Sequence, residues 1–485
     1  MNENAIFKLR IVTATSLFDG HDAAINIMRR IFQSKGGEII HLGHNRSARE
    51  IVECAIEEDA AAIAITSYQG GHIEFFKYIK DLLEESACGH IKIFGGGGGT
   101  ILPLEADTLH AYGITRIYSP DDGRKMGLDG MIQNVIDECN KDLQNIYQQP
   151  IHSLRKKWSG TFPLGEVKDV RKIARSITLA EHHFDYATLL STEINTDNNI
   201  PVIGITGTGG AGKSSVTDEL VRCYLNTYPQ KTIAVISIDP SKKKTGGALL
   251  GDRIRMNAVS SPRVYMRSLA TREDNAAVSK ASKAVIHICK TARYDCIILE
   301  TAGVGQSDTS IVDYCDISIY VMTPEYGAAS QLEKINMLDY ADIIAVNKFD
   351  KPGAPDALNE VKKQYKRNHL LFDTKKDNNL PVLGVCASKF NDDGINRLFA
   401  LLVHTVKNKL QIDWHKDVVA PNTDEDLKKT VIIPSKRTRY LSEISETIRS
   451  YNGWVNEQST IATQLYQLKG AIDILNKTPE NEKHR

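Results

Sequence analysis

The stretch Gly207-Thr208-Gly209-Gly210-Ala211-Gly212-Lys213-Ser214 fits the pattern G-x-x-x-x-G-K-[ST] at every fixed position. The apolar run Val202 to Ile205 before it reads as a buried strand. Ser215 to Leu225 after it reads as a helix, with Val216, Leu220 and Val221 on one face. Strand, glycine loop and helix in that order are the context a phosphate-binding P-loop requires, and they set aside the plainer reading of a glycine-rich turn. The glycines let the backbone wrap a polyphosphate with its N–H groups aimed inward, and the helix N-terminus adds a favourable dipole. The expected nucleotide contacts are Gly210, Ala211, Gly212, Lys213, Ser214 and Ser215, with Lys213 on the outer phosphates and Ser214 on magnesium.

Downstream stretches agree with that loop. Ile233 to Ile238 reads as a strand with Asp239 at its end, followed by Thr245-Gly246-Gly247 and Asp252-Arg253 on the next loop. Carboxylates so placed hold magnesium directly or through water. Ile297 to Leu299 is another strand, and Glu300-Thr301-Ala302-Gly303 after it is a D-x-x-G-like segment with glutamate in the acidic position. Ala341 to Val346 leads into Asn347-Lys348-Phe349-Asp350, an N-K-x-D, and the strand Val382 to Val385 ends in Ala387-Ser388-Lys389. Asp350 can accept from guanine N1–H and its exocyclic amine, whereas adenine offers neither donor and would leave the carboxylate unpaired. Asn347 can bond the purine edge, and the Lys348 and Lys389 stems can cover the ring. GTP is the nucleotide this predicts.

The chain has 485 residues, too many for one ordinary core, so two or three domains are expected. Lysine plus arginine equals aspartate plus glutamate at 60 each, so no global field favours nucleic acid or an anionic membrane. Eight cysteines without a C-x-x-C pair or zinc spacing fit reduced thiols, and there is no leader-like or bilayer-length apolar run. A cytoplasmic protein is expected.

Before the P-loop, Leu9 to Ala14, Glu38 to Leu42, Ala61 to Thr66, Ile91 to Phe94 and Arg116 to Tyr118 read as strands alternating with helices. Such alternation implies a doubly wound parallel sheet whose ligands sit beyond the carboxyl ends of the strands. The loop after the first strand carries Asp19-Gly20-His21, and Ala23, Ile27 and Ile31 then begin a helical stripe. An imidazole there can bind a metal through one nitrogen while Asp19 fixes the tautomer through the other; on spacing alone His21 reads equally as an incidental loop residue. Thr66-Ser67 follows the third strand and Gly95 to Gly99 the fourth, backbone that leaves room for a bulky ligand. A receiver domain would need an acidic phosphoacceptor at Thr66 or Ser67. A flavin site would leave Asp19-Gly20-His21 and the glycine run unexplained.

This stretch resembles the cobalamin-binding domain of adenosylcobalamin-dependent acyl-CoA mutases, with its D-x-H-x-x-G, S-x-L and glycine-glycine motifs. Asp19, His21, Ser67 and Gly95-Gly96 match, while Ala24 and Gln69 replace the motif glycine and leucine. The resemblance implies His21 as lower axial cobalt ligand and a nucleotide tail entering the sheet. The later segments, Ser237-Ile238-Asp239-Pro240-Ser241, Gly246 to Arg253 and Glu300 to Ser307, resemble the G3E-type metallochaperone GTPases that serve such mutases. That resemblance implies Ser214, Ile238, Asp239, Asp252, Glu300 and Thr301 around magnesium, Arg255 near the phosphates, and Lys213 and Glu300 as the catalytic residues. Val304 stands just after Gly303, where many signalling GTPases place a water-orienting glutamine, which implies slow hydrolysis.

The expected organisation is α/β: a flavodoxin-like cobalamin-binding domain (1–140), a helical connector (141–200), a P-loop GTPase domain (201–413), and a linker with a helical tail (414–485). In the connector Val170, Ile173, Ile177, Ala180 and Phe184 recur at helical spacing, and the segment either docks the first domain on the second or caps the second. Pro421 to Lys429 reads as linker, and the tail stripe Tyr440, Leu441, Ile444, Ile448 and Tyr451 has too little sequence after it to be buried within this chain. The order of parts resembles the N-terminal half of the fused isobutyryl-CoA mutases, where a substrate-binding barrel follows that these residues do not supply. The resemblance implies a mutase barrel, in the same or another polypeptide, as partner, and a homodimer. A stand-alone metallochaperone is the alternative.

Overall fold

Aliphatic runs separated by amphipathic helices must be covered on both faces, and two all-parallel sheets result. The computed structural model describes residues 7–148, 169–182, 199–272, 277–303, 308–326, 329–371, 380–414 and 440–477. The first sheet holds β1 (Arg10–Ser16), β2 (Glu38–Arg46), β3 (Ala62–Thr66), β4 (Lys92–Gly96), β5 (Arg116–Tyr118) and β8 (Ala248–Leu250), in the order β5-β4-β3-β1-β2-β8. The second holds β6 (Val202–Gly207), β7 (Ile233–Asp239), β9 (Val264–Ala270), β10 (Cys296–Glu300), β11 (Ile317–Met322), β12 (Ile343–Val346) and β13 (Val382–Gly384), in the order β13-β12-β11-β6-β10-β7-β9. Helices α1 (Ala23–Ser34), α2 (Ala48–Glu57), α3 (His72–Glu85), α4 (Pro103–Tyr112) and α5 (Pro120–Gln148) clothe the first sheet. Beyond them come α6 (Val170–Glu181), α7 (Lys213–Thr227), α8 (Ser282–Thr291), α9 (Ala329–Leu332), α10 (Met337–Tyr340), α11 (Ala354–Asn368) and α12 (Asp393–Leu410).

All five strands expected in the first sheet form. β8 is unexpected, because it comes from the loop after β7 in the P-loop half and adds to the free edge of β2. The α1 stripe also differs: Ile25 and Phe32 face the sheet, while Ala23 and Ile27 are exposed. Ile25 and Phe32 lie seven residues apart, two helical turns, so the inner face is rotated from the one Ala23 and Ile27 define.

The described residues as far as Trp414 fall in one unit, and its seam is built from α6 and buried ions. Val170, Ile173, Ile177 and Ala180 of α6 are all in the core, against α2 on one side and α8 on the other. The connector therefore docks one sheet on the other. Arg175 of α6 pairs with Asp59 at 2.8 Å, while Phe184 lies outside the described residues. Arg10 of β1 is enclosed and meets Glu58 at 2.9 Å, Glu38 at 3.0 Å and Glu181 at 3.3 Å. From the second sheet's side, Arg267 reaches Glu181 at 2.7 Å, and Arg272 reaches Glu38 at 2.8 Å and Glu181 at 3.2 Å. Burial would raise Glu38, but Arg272 and Arg10 outweigh it and hold its carboxyl well below the usual range.

A second unit begins at Glu425 and contains α13 (Tyr440–Lys477). Ile444, Ile448 and Tyr451 are exposed, and the apolar stripe continues through Val455, Leu465, Leu468, Ile472 and Leu475. The side chains of Tyr440 and Leu441, and the segment Pro421 to Lys429, lie outside the described residues. Among the described residues no helix is long and apolar enough to cross a membrane.

Candidate functional sites

In a parallel sheet the strand order reverses at one point, and there the loops part to leave a crevice. In the first sheet that point lies between β1 and β3, and the loop after β1 carries Asp19 and His21. Phe18 takes a left-handed φ of 63° and its N–H donates to Asn45 Oδ1 at the end of β2, which turns the chain so that Asp19 points inward. Asp19 is 2% exposed; its Oδ1 accepts from the His21 backbone N–H at 2.9 Å and ring Nδ1 at 2.8 Å, and its Oδ2 from the Tyr68 N–H at 2.6 Å. Burial would raise this carboxyl, but the Tyr68 and His21 N–H groups outweigh it and hold it below its ordinary value. The Asp19 carboxylate thus fixes Nδ1 as the protonated nitrogen, while the His21 side chain is 77% exposed and keeps Nε2 for a ligand.

Beside this loop is a cavity of about 200 Å³ lined by Ile25, Phe32, Phe94, Gly95, Gly96 and Val135 among others. Ser67 Oγ accepts from Ser16 Oγ at 2.9 Å, locking β1 to the β3 loop. Gly97 also lines the cavity, and a Cβ there would stand 1.9 Å from the Ser67 carbonyl, so no side chain fits. These groups suit cobalamin: a donor nitrogen on His21, beside Tyr68 of the cavity wall, and an apolar slot that side-chain-free backbone keeps open.

In the second sheet the P-loop leaves β6 and enters α7 as expected. Gly212 has φ +89° and its hydrogen faces Asn347 Nδ2, where a Cβ would stand at 2.4 Å. Asn347 Nδ2 donates to the Ala211 carbonyl at 2.8 Å and its Oδ1 accepts from the Ala387 N–H at 3.1 Å, tying the N-K-x-D to the loops on either side. Lys348 Nζ donates to the Gly210 carbonyl at 2.8 Å, and the Phe349 ring packs on Gly384. Asp350 accepts from the Cys386 thiol at 3.3 Å. The half-buried Ser215 follows Ser214 on the first turn of α7.

Three of the acidic residues expected at magnesium meet there. Ser214 Oγ lies 2.8 Å from Glu300 Oε1 and 3.0 Å from Asp252 Oδ1, while Asp239 Oδ2 accepts from the Gly251 N–H at 3.0 Å. Burial and then Asp252 push Asp239 up to about 8 and Glu300 up to about 7. Mutual repulsion of this kind is relieved by a divalent cation, so the donor set fits magnesium. Among the described residues no three acidic, histidine or cysteine side chains form a ready cage; magnesium is ordinarily completed by waters and phosphate oxygens. Thr301 stands apart, its hydroxyl 2.9 Å from Thr206, and the Ile238 side chain is in the core, which leaves only its carbonyl. Lys213 Nζ is folded back on the Gly207 carbonyl at 3.2 Å, and the charge of exposed Arg255 bears on Lys213 and Asp239. Val304 lies outside the described residues.

Sequence reasoning missed three contributors. Ser237 Oγ donates to Asp252 at 2.6 Å and Thr217 Oγ1 to Glu300 at 2.8 Å, fixing both carboxylates. Thr217 sits one helical turn after Ser214, a spacing that would have pointed to it. Cys386, behind Asp350, had no signal in a motif.

Residues 173–431 match the family model described as methylmalonyl Co-A mutase-associated GTPase MeaB, and residues 9–119 match the B12 binding domain. The fused isobutyryl-CoA mutase of Geobacillus kaustophilus is 51% identical over 483 residues, covering 98% of this chain and 43% of that protein. Its namesake from Cupriavidus metallidurans is 50% identical over 475 residues, 96% and 42% respectively. The one from Nocardia farcinica is 44% identical over 474 residues, 96% and 42%. The chain thus spans less than half the length of these relatives.

Proposed function

Because the chain belongs to the mutase-associated GTPase family MeaB and carries a B12 binding domain ahead of it, we propose that it is the cofactor-handling part of an adenosylcobalamin-dependent acyl-CoA mutase. In this reading it holds cobalamin at His21 and hydrolyses GTP to gate cofactor loading, and a substrate barrel completes the mutase. The substrate class is a short acyl-CoA, interconverted between the branched isobutyryl and the linear n-butyryl form. The observation that supports it most is the pairing, within one unit, of a tautomer-fixed histidine next to the wall of a glycine-lined slot with a guanine-type P-loop site.

Adenosylcobalamin, when bound, supplies a cobalt–carbon bond able to open to radicals. The protein's part is to present His21 Nε2, to hold Nδ1 on Asp19, and to accept the nucleotide tail between Ile25, Phe94 and the glycines. At the other site, magnesium, when bound, would supply positive charge against the nucleotide's phosphates. Ser214, Asp239, Asp252 and Glu300 are placed to hold it, and Lys213 swings from the Gly207 carbonyl onto the phosphates.

His21→Ala is expected to abolish the histidine-ligated visible spectrum of bound cobalamin and leave GTP binding intact. Asp19→Ala should weaken cobalamin binding by about 10–100-fold, as changes behind a ligand do. An unchanged spectrum in His21→Ala would make the histidine incidental. Asp350→Asn should move preference from GTP toward xanthosine triphosphate, since an amide donates where the carboxylate accepts; bidentate base contacts discriminate by about 1–3 kcal/mol. Titration calorimetry with both nucleotides checks this, and an unaltered preference counts against the guanine assignment.

A further inference from the structure

Between β7 and β9 the chain runs from one sheet to the other and back, and what it touches on the way is specific. Thr245 Oγ1 donates to the Gln33 carbonyl at 3.2 Å, and the Ala248 N–H to the Gly37 carbonyl at 3.2 Å. Ala248, Leu249 and Leu250 then pair in parallel with Glu38, Ile39 and Ile40 of β2. Two residues on, Asp252 accepts from Ser214 Oγ at 3.0 Å and from Ser237 Oγ at 2.6 Å, inside the magnesium donor set. The next residue, Arg253, spans the seam between the sheets, donating to Glu57 of α2 at 2.6 Å and to the Met266 carbonyl of β9 at 2.7 Å. Asp252 is therefore held between two anchors, the β2 ladder before it and the seam contacts of Arg253 after it, with one residue of slack before it and none after.

The far end of β2 continues the path. β2 is the parallel neighbour of β1, and Asn45 near its end accepts the Phe18 N–H at 2.8 Å. Phe18 precedes Asp19, which holds His21 at both its N–H and its ring. Ser214 and His21 are thus joined by one continuous run of strand pairing and hydrogen bonds.

Resting on the function proposed above, we propose that Ala248–Arg253 is a coupling segment, through which nucleotide and magnesium at Ser214 change the stability of β2 and of the His21 loop. The Ser214 hydroxyl bonds both Asp252 and Glu300. A cation at Ser214 takes its oxygen as a ligand, so Asp252 must exchange that hydrogen bond for the cation or its water shell. With Leu250 in the β2 ladder and Arg253 on Glu57, that exchange tightens or strains the ladder rather than dissipating in a loose loop. A pairwise coupling of ordinary size changes an equilibrium about 5–150-fold.

The test is hydrogen exchange on the full chain, with and without magnesium and a non-hydrolysable GTP analogue. Binding is expected to slow amides in 207–214 and to change exchange at 38–42 and 17–21 about fivefold or more. Ala248→Pro removes the N–H that donates to the Gly37 carbonyl at the start of the edge ladder, and should keep the effect at 207–214 while losing it at 38–42. Asn45→Ala should keep the effect at 38–42 and lose it at 17–21, which leaves the idea testable if the proline variant does not fold. Slowing confined to 202–255 in the unaltered chain would overturn the coupling but leave the nucleotide site standing. No slowing at 207–214 would overturn the proposed function, and the coupling with it.

Discussion

Lys213→Ala is expected to reduce GTP hydrolysis by about 100–1,000-fold, the usual cost of removing one preorganised charge aimed at a reacting phosphoryl group. Lys213 is buried at the start of α7 and donates to the Gly207 and Thr208 carbonyls at 3.2 and 3.5 Å. Those carbonyls belong to the loop that wraps the phosphates, so the ammonium is parked within reach of its working position. Burial lowers its pKa, with Glu300, Asp252 and Asp239 pulling the other way, and a triphosphate adds to that pull. The measurement is steady-state phosphate release, with the visible spectrum of bound cobalamin as the control for fold. Hydrolysis within a few-fold of the unaltered chain would mean the lysine is structural.

The P-loop, the N-K-x-D and the Asp19-His21 pair were legible because each carries its chemistry within a few consecutive residues. Strand, loop and helix then place those residues at a sheet's carboxyl edge without further information. β11, Ile317 to Met322, escaped because a central strand buried on both faces is only an apolar run with no motif at its end. β8 escaped for a different reason. Ala248-Leu249-Leu250 is too short to carry a period, and its partner β2 lies far earlier in the chain, ahead of the P-loop. The same limit hid Arg10, Glu38 and Glu58, which read locally as ordinary strand and helix-end residues; only the docking of α6 and β9 makes them a buried ionic seam.

That seam is the basis for the largest expected change in stability, from Arg10→Met. Arg10 is the 2.9 Å partner of Glu58, whose side chain is fully enclosed, and it also meets Glu38 and Glu181. Methionine fills much of the volume but leaves Glu58 with Ser268 donors at 2.9 and 3.0 Å, Arg267 at 3.9 Å and Arg253 at 3.6 Å. Removing one member of a buried ion pair typically costs about 3–5 kcal/mol, because the remaining charge is stranded out of water. A lost packing contact would give a similar number, so the single variant does not identify the cause. Glu58→Gln added to Arg10→Met separates the two, since the amide oxygen keeps the Ser268 bonds and carries no charge. If the stranded carboxylate is what costs, the double variant is more stable than Arg10→Met alone by about 1–3 kcal/mol, within the range of measured couplings between touching residues. Urea unfolding followed by circular dichroism, with the slopes compared to confirm that the same transition is observed, decides it. A double variant no better than the single one would assign the loss to packing and leave the ionic seam without a stabilising role at Arg10.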